Sequence, residues 1–348
     1  MAFTIAHVNV SKGYRGGERQ TELLIRGLER FDLRQVLVAR KDGLLAKRIN
    51  SAGLEIRQVT GNPFGVALAC KGVDLVHVHE GRSVYAAYLR SLRSGKPYIV
   101  TRRVNNALRN HWLTHRAYQR AAIVVAVAPQ VGDVIRQLAP EIDPQVVYSS
   151  SSGFEVDETV SKSIRDIYEG NLLVGHIGAL DNAQKGQEFI IDVARQLEQS
   201  NPDIHFLLVG EGGDEKMLKE AAAGLRNLTF IGFVENVGDY LAAFDVFILP
   251  SRKEGIGSIL LDAMEQGLPI VASNVGGVSE IVHDDENGIL IEPARPDQLR
   301  AAILRLCAEP NLRFEMGQRG KLIATDFTPN TMCEKYLNLY RSVLGTTA

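Results

Sequence analysis

Two acidic side chains, Glu254 and Asp262, stand eight positions apart in the stretch PSRKEGIGSILLDAMEQGLPIVAS, residues 250–273. Between them lie Gly255, Ile256, Gly257 and Ser258. Glycine lets backbone approach a ligand closely, and a turn that opens a helix presents free amides at the positive end of the helix dipole. Such a segment can hold a phosphate on its amides and sugar hydroxyls on its two carboxylates. The preceding DVFILPS is apolar throughout, as expected of a strand buried on both faces of a parallel sheet. SILLDAMEQG then reads as a helix, with Gly267 at its C-terminal end and Pro269 beyond. Ile259, Leu260, Ala263 and Met264 would anchor that helix. A strand–loop–helix joint that binds nothing fits the same letters.

Other residues could do related chemistry. Lys185 and Gly186 follow a predicted strand in GHIGALDNAQKGQEFII, where a lysine can simply occupy a solvated turn. Gly16 and Gly17 separate the first predicted strand from the first predicted helix in SKGYRGGERQTELL. Arg102 and Arg103 end the predicted strand in PYIVTRR, and a planar guanidinium suits phosphate through paired hydrogen bonds. His77 and His79 alternate along a strand in DLVHVHEGRS, so both point to one face. No carboxylate or cysteine cluster joins them, and the expectation is a buried strand histidine pair with no metal. The run RRVNNALRNHWLTHRAYQR sets cations beside Trp112 and Tyr118 without a recognisable nucleic-acid module, so no nucleic acid is expected. Anionic lipid or a phosphorylated glycan fits it better, as does a plain solvated face.

These residues need scaffolds to position them. At 348 residues the chain exceeds what one core usually supports, and two domains are expected. In the first half TIAHVNV, QVLVAR, LEIRQV, DLVHVH, PYIVTRR, IVVAVAP and QVVYSS read as strands, with ERQTELLIRGLERF, SVYAAYLRSLRSG and PQVGDVIRQLA as helices between them. In the second, LLVGHIGAL, IHFLLVG, LTFIGF, VFILPS and PIVAS are strands, and GQEFIIDVARQLEQS, EKMLKEAAAG and VGDYLAAF are helices. Alternation of this kind builds a parallel sheet covered on both faces. The fold class is therefore α/β, two doubly wound Rossmann-like domains, with ligands expected where the carboxyl ends of their strands face one another across a cleft. The polar segment from Ser149 to about Asn171 has no apolar period and reads as a linker. The expected boundaries are 1–155 and 165–327, with a terminal amphipathic helix over 328–348 packing back on the first domain.

Composition narrows the setting. The net charge of -2 hides a split: residues 1–150 hold 22 Lys and Arg against 11 Asp and Glu, and residues 151–348 hold 17 against 30. A basic N-terminal half suggests an anionic partner, or attraction between the halves. Cys70, Cys307 and Cys333 lie far apart and imply a reducing compartment. The apolar start MAFTIAHVNV reads as a strand rather than a signal peptide, and no run approaches the length of a membrane span. A cytoplasmic protein is expected, able to touch the inner face of the membrane.

EGIGSILLDAMEQGLPIVASNVGGVSEIV resembles the nucleotide-sugar signature of the retaining glycosyltransferases of family 4, which have the GT-B fold. The resemblance spans nearly the whole chain. It implies that Glu254 contacts the donor sugar and Asp262 the ribose, with Asp one methylene shorter than the usual Glu. It implies that Gly255, Ile256, Gly257, Ser258 and Lys185 hold the donor, and that the Gly16–Gly17 loop approaches its diphosphate. Ala179 stands where the family carries an arginine. Arg103, or its neighbour Arg102, where many relatives have histidine, is expected to replace that charge. Catalysis is assigned to Glu254, Lys185 and Arg103; Arg19, His79, Glu80 and Arg102 are candidates for the acceptor side. The implied reaction is metal-independent hexosyl transfer, without a cofactor, from a nucleotide-diphosphate sugar of the UDP type. The implied acceptor is a glycan or glycolipid hydroxyl, as in bacterial surface glycan or lipopolysaccharide synthesis. An epimerase or phosphorylase of the same fold, or a non-catalytic sugar-nucleotide binder, are the alternatives.

Overall fold

The computed structural model describes residues 3–49 and 53–345. The chain divides into two compact units, Met1–Ser150 with Phe327–Ala348, and Ser151–Asp326.

Unit 1 is built on seven parallel strands: β1 (Thr4–Asn9), β2 (Arg34–Arg40), β3 (Glu55–Val59), β4 (Leu75–Val78), β5 (Tyr98–Arg102), β6 (Ile123–Ala126) and β7 (Gln145–Val146). Their order is β3-β2-β1-β4-β5-β6-β7, so the sheet reverses direction of growth between β1 and β4. The inner strands are buried along nearly their whole length, which is why they read as unbroken apolar runs. The final helix, Pro329–Leu344, belongs to this unit and packs on the helix Gly16–Leu28. Thr328 caps it by accepting from the Thr331 amide. Its Met332, Cys333, Tyr336, Leu337 and Tyr340 complete a core with Ile5, Leu24, Leu28, Leu75, Ile99 and Val125.

Unit 2 repeats the plan with six parallel strands: β8 (Leu172–Ile177), β9 (Ile204–Val209), β10 (Leu228–Gly232), β11 (Val246–Leu249), β12 (Ile270–Ser273) and β13 (Gly288–Ile291). The order β10-β9-β8-β11-β12-β13 puts its switch between β8 and β11. The helix Gln187–Leu197 lays Phe189, Ile190, Val193, Ala194 and Leu197 against Val174, Phe206, Leu208, Val246 and Ile248.

One expectation is corrected here. The polar segment after Ser149 is not simply a linker: it contains the helix Glu158–Ile167, capped by Asp157 on the amides of Thr159 and Val160. That helix packs on the helix Val237–Ala243. It escaped the apolar-period reading because only Ser161 and Ile164 are buried, while Val160 and Ile167 are exposed.

Candidate functional site

The switch point of an open parallel sheet leaves a crevice beyond the strand ends, because the helices that follow the two central strands lie on opposite faces. In unit 2 the strands concerned are β8 and β11. The chain leaving β8 makes one helical turn, Asn182–Lys185, which ends at Gly186 with φ of 65°. A Cβ on Gly186 would sit 2.4 Å from the Pro250 carbonyl oxygen, so the turn carrying Lys185 presses directly on the backbone leaving β11. Arg252 reinforces the junction by donating its amide to the Gln184 carbonyl at 2.7 Å.

This close packing brings Lys185 and Glu254 together. Lys185 Nζ lies 2.5 Å from Glu254 Oε1, and the Ser251 hydroxyl donates to the same oxygen at 2.8 Å. The two side chains are only 22% and 9% exposed. A cation and an anion held this far from bulk water interact strongly, and either is costly to leave alone. The Glu254 backbone is fixed too. Gly277 donates to the Gly255 carbonyl at 2.7 Å, and a side chain on Gly276 would strike the Glu254 carbonyl oxygen at 2.0 Å. The lack of a side chain at Gly276 thus lets one loop lie on another. Ile256 is buried beneath the turn, and Gly257 and Ser258 lead into the helix Ile259–Glu265.

Behind this pair, His176 on β8 is fully buried. Its Nδ1 donates to the Ile248 carbonyl at 3.0 Å, and burial lowers its pKa to about 4, so it is neutral. Gln187 bonds the Ala179 carbonyl at 2.8 Å and reaches His176 Nε2 at 3.4 Å. Position 179 therefore supplies a backbone carbonyl to a structural contact and no cation.

Asp262 stands apart from the Lys185–Glu254 pair. It is buried in the helix Ile259–Glu265, where Oδ1 accepts from the Ser152 amide at 2.5 Å and Oδ2 faces the Ser152 hydroxyl at 3.3 Å. Ser151 donates to Glu265 at 2.5 Å on the same helix. One residue earlier, within unit 1, Gln20 takes both backbone groups of Ser150, at 2.6 and 2.9 Å. Three consecutive serines are thus pinned at the point where one unit gives way to the other.

In unit 1, Gly16 and Gly17 open the helix Gly16–Leu28 directly after the loop that follows β1. A Cβ on Gly17 would lie 3.8 Å from Arg103 Cδ, so that glycine and the arginine after β5 are neighbours. Arg103 Nη2 is 3.5 Å from His79 Nδ1, while its Nε and Nη1 are buried with no hydrogen-bond partner among the described residues. The other acceptor-side candidates are engaged elsewhere. Arg19 extends towards Glu22, Glu80 accepts from the amides of Arg82 and Ser83, and the buried Arg102 donates to the Asn106 carbonyl.

His77 and His79 do share a face, and a third histidine joins them. His7 on β1 is the register partner of His77 on β4. All three are buried and each offers a nitrogen within 4.8 Å of the others. His77 is bonded at Nδ1 to Tyr340 Oη (2.6 Å) and at Nε2 to Thr101 Oγ1 (2.7 Å), and His7 Nδ1 meets His79 Nε2 at 3.0 Å. Burial lowers the pKa of all three, that of His7 to about 3. Sequence reading overlooked His7, because one polar letter inside TIAHVNV means little until strand register places it beside His77.

Residues 171–309 match the family described as Glycosyl transferases group 1. Along most of its length the chain is 27% identical to the alpha-D-kanosaminyltransferase of Streptomyces kanamyceticus, over 77% of each chain. It is 25% identical to the N-acetyl-alpha-D-glucosaminyl L-malate synthase of Bacillus anthracis, over 81% of this chain and 80% of that one. Among solved structures, Anabaena Alr3699/HepE in complex with UDP-glucose superposes with a TM-score of 0.87 at 19% identity, covering 98% of this chain and all of that one. The lipopolysaccharide outer core galactosyltransferase WaaB gives 0.70 at 16% identity, over 97% and 99%. The fold is GT-B, and the chain is related to glycosyltransferases that have it.

Proposed function

We propose that this chain transfers a hexose-type sugar, with retention of anomeric configuration, from a UDP-type nucleotide sugar to a hydroxyl of a glycan or glycolipid in bacterial surface glycan synthesis. The observation that carries the reading is the Lys185–Glu254 pair, a desolvated cation and anion on the two strand ends of the unit 2 switch point. The names of its relatives, which transfer or synthesise sugar conjugates, and UDP-glucose in the HepE complex support the same substrate class.

In this reading the diphosphate draws the Lys185 ammonium away from Glu254, and the released carboxylate accepts hydroxyl groups of the donor sugar. Amides of the Gly255–Ser258 turn and of the Gly16–Gly17 loop take phosphate oxygens. Arg103 supplies the charge that Ala179 lacks, and Asp262 adds a ribose contact while holding Ser152. The bond from the anomeric carbon to the diphosphate oxygen breaks and a bond to the acceptor oxygen forms on the same face. The acceptor proton passes to the departing phosphate oxygen. The positive charges stabilise the leaving diphosphate without a dedicated general base. Glycosidases, in contrast, require a paired carboxylic acid and carboxylate.

For the acceptor, Arg19, His79, Glu80 and Arg102 remain the candidate region, with His79 acting from behind. The strongly exposed Phe64, Leu68 and Trp112 accompany the basic charge of unit 1 and fit contact with an anionic lipid surface. No helix among the described residues is long and apolar enough to cross a membrane.

A panel of nucleotide sugars screened by thermal shift identifies the donor, since a ligand that binds only the folded state raises the midpoint. That donor should then release nucleoside diphosphate only when an acceptor is supplied. Donor binding without turnover on any acceptor would contradict the reading.

A further inference from the structure

We infer that His79 is a positioning residue for Arg103, set in one tautomer by an oriented hydrogen-bond chain that runs from Arg103 through His79 to His7. The inference rests on the reading that Arg103 meets the donor diphosphate.

The direction of the chain follows from which groups can only donate. A guanidinium has no acceptor, so Arg103 Nη2, 3.5 Å from His79 Nδ1, requires a lone pair on that nitrogen. A neutral His79 then carries its proton on Nε2, which faces His7 Nδ1 at 3.0 Å. His7 Nδ1 must accept, and the His7 proton therefore sits on Nε2. Beyond it lies the Gln35 side chain, which interacts with the His7 ring. Gln35 is oriented independently: its amide nitrogen donates to the Ile25 carbonyl at 2.9 Å, which leaves its oxygen, Oε1, for the histidine. His7 Nε2 and Gln35 Oε1 face one another without closing to hydrogen-bond distance, and neither has a hydrogen-bond partner among the described residues. Every donor thus points the same way, from Arg103 towards the helix Gly16–Leu28.

The chain, with the Gln35 side chain next to its end, spans four neighbouring strands. Gln35 is on β2, His7 on β1, His79 follows β4 and Arg103 follows β5, in the order in which these strands lie in the sheet. His77 stays outside it, with both ring nitrogens held by Tyr340 and Thr101. Burial and the nearby Arg103 charge keep His77 and His79 neutral, and burial does the same for His7. A neutral acceptor is what an arginine needs if it is to be held without being neutralised. An acidic side chain in place of His79 would pair with the guanidinium and compete with phosphate. With Nη2 engaged and the stem packed near Gly17, Nε and Nη1 have no hydrogen-bond partner among the described residues. Nη1 lies on the Cδ side of the fork and Nε–H on the other, so they are two separate donors and not a bidentate edge.

Two measurements test this. In the wild-type chain with 15N-labelled histidine, long-range proton–nitrogen spectra at neutral pH should show His79 and His7 both protonated at Nε2 and bare at Nδ1. A proton on His79 Nδ1 would overturn the inference whatever the substrate is. The second is a double-mutant cycle with UDP as the probe, read by calorimetry. His79→Phe should raise the UDP dissociation constant about three- to tenfold, the scale of one ordinary net hydrogen bond. His79→Asn, which keeps an acceptor near the position of Nδ1, should remain within about twofold of wild type. In an Arg103→Ala background the His79→Phe change should have no further effect. If His79→Phe weakens binding equally in both backgrounds, or if Asn is as poor as Phe, the positioning role is wrong while the diphosphate reading stands. If Arg103→Ala itself leaves UDP binding unchanged, both fall together.

Discussion

Lys185 and Glu254 are joined by a short, largely desolvated ion pair although 69 residues separate them in the chain. Neither can act on a substrate without disturbing the other, so their variants should differ in kind. Glu254→Ala should lower transfer by about a hundredfold or more, since the lost contact is one that strengthens as charge develops. UDP binding should hold or tighten, because Glu254 is assigned to the sugar and its removal frees Lys185 for the diphosphate. Lys185→Ala should weaken UDP binding itself. Steady-state kinetics beside calorimetry with UDP separates the two; equal loss of UDP affinity in both variants would contradict the assignment.

Arg103→Ala should raise the dissociation constant for donor and for UDP by about tenfold or more, or about 1.4 kcal/mol. Restoring a cation at the other position tests the compensation directly. Ala179→Arg in the Arg103→Ala background should recover part of the affinity. No change on Arg103→Ala would remove Arg103 from the donor site.

Asp262 carries a structural duty as well as its proposed ribose contact. Its carboxylate holds the buried Ser152 amide at 2.5 Å, so Asp262→Ala removes a buried charge-assisted hydrogen bond. The expected cost is about 1–3 kcal/mol in denaturant unfolding. Ribose contact is read separately, as a smaller preference of Asp262→Asn for UDP over its 2′-deoxy analogue. A fully stable Asp262→Ala chain would contradict the duty assigned here.

Stability should fall on mild acidification. His7 and His176 have folded-state pKa values of about 3 and about 4, below the ordinary 6.5, because both are buried neutral. Between those values and 6.5 the unfolded chain binds more protons than the folded one, so stability rises with pH. The contribution is complete above about 6.5 and is lost progressively below it, by about 2 kcal/mol per buried neutral histidine at pH 5. Urea unfolding at pH 7.5, 6 and 5 checks the sign, and His176→Gln should flatten the profile. A profile flat in the wild type would show that these rings are not buried neutral.

Much of this was legible in the letters because buried parallel strands and their glycine-rich exits announce themselves. Glu254 is singled out by its spacing in PSRKEGIG and Lys185 by the family resemblance, and the structure brings these two side chains together. What stayed hidden depended on register or on distant partners. His7 is one polar residue in an apolar run, and only its pairing with His77 gives it a role. Asp262 reads as a helix carboxylate; its bond to Ser152, 110 positions away, cannot be inferred from spacing. The helix Glu158–Ile167 went unseen because its cap and its packing on one neighbour, rather than an apolar stripe, sustain it.

The central claim is tested most directly by the anomeric configuration of the product, read by proton NMR when the donor found by thermal shift is incubated with an acceptor glycan or glycolipid. The account expects stoichiometric UDP, a new glycosidic linkage with the donor's anomeric configuration, and no reaction with Glu254→Ala. An epimerised nucleotide sugar, a sugar phosphate formed only when inorganic phosphate is added, or a product of inverted configuration would contradict it.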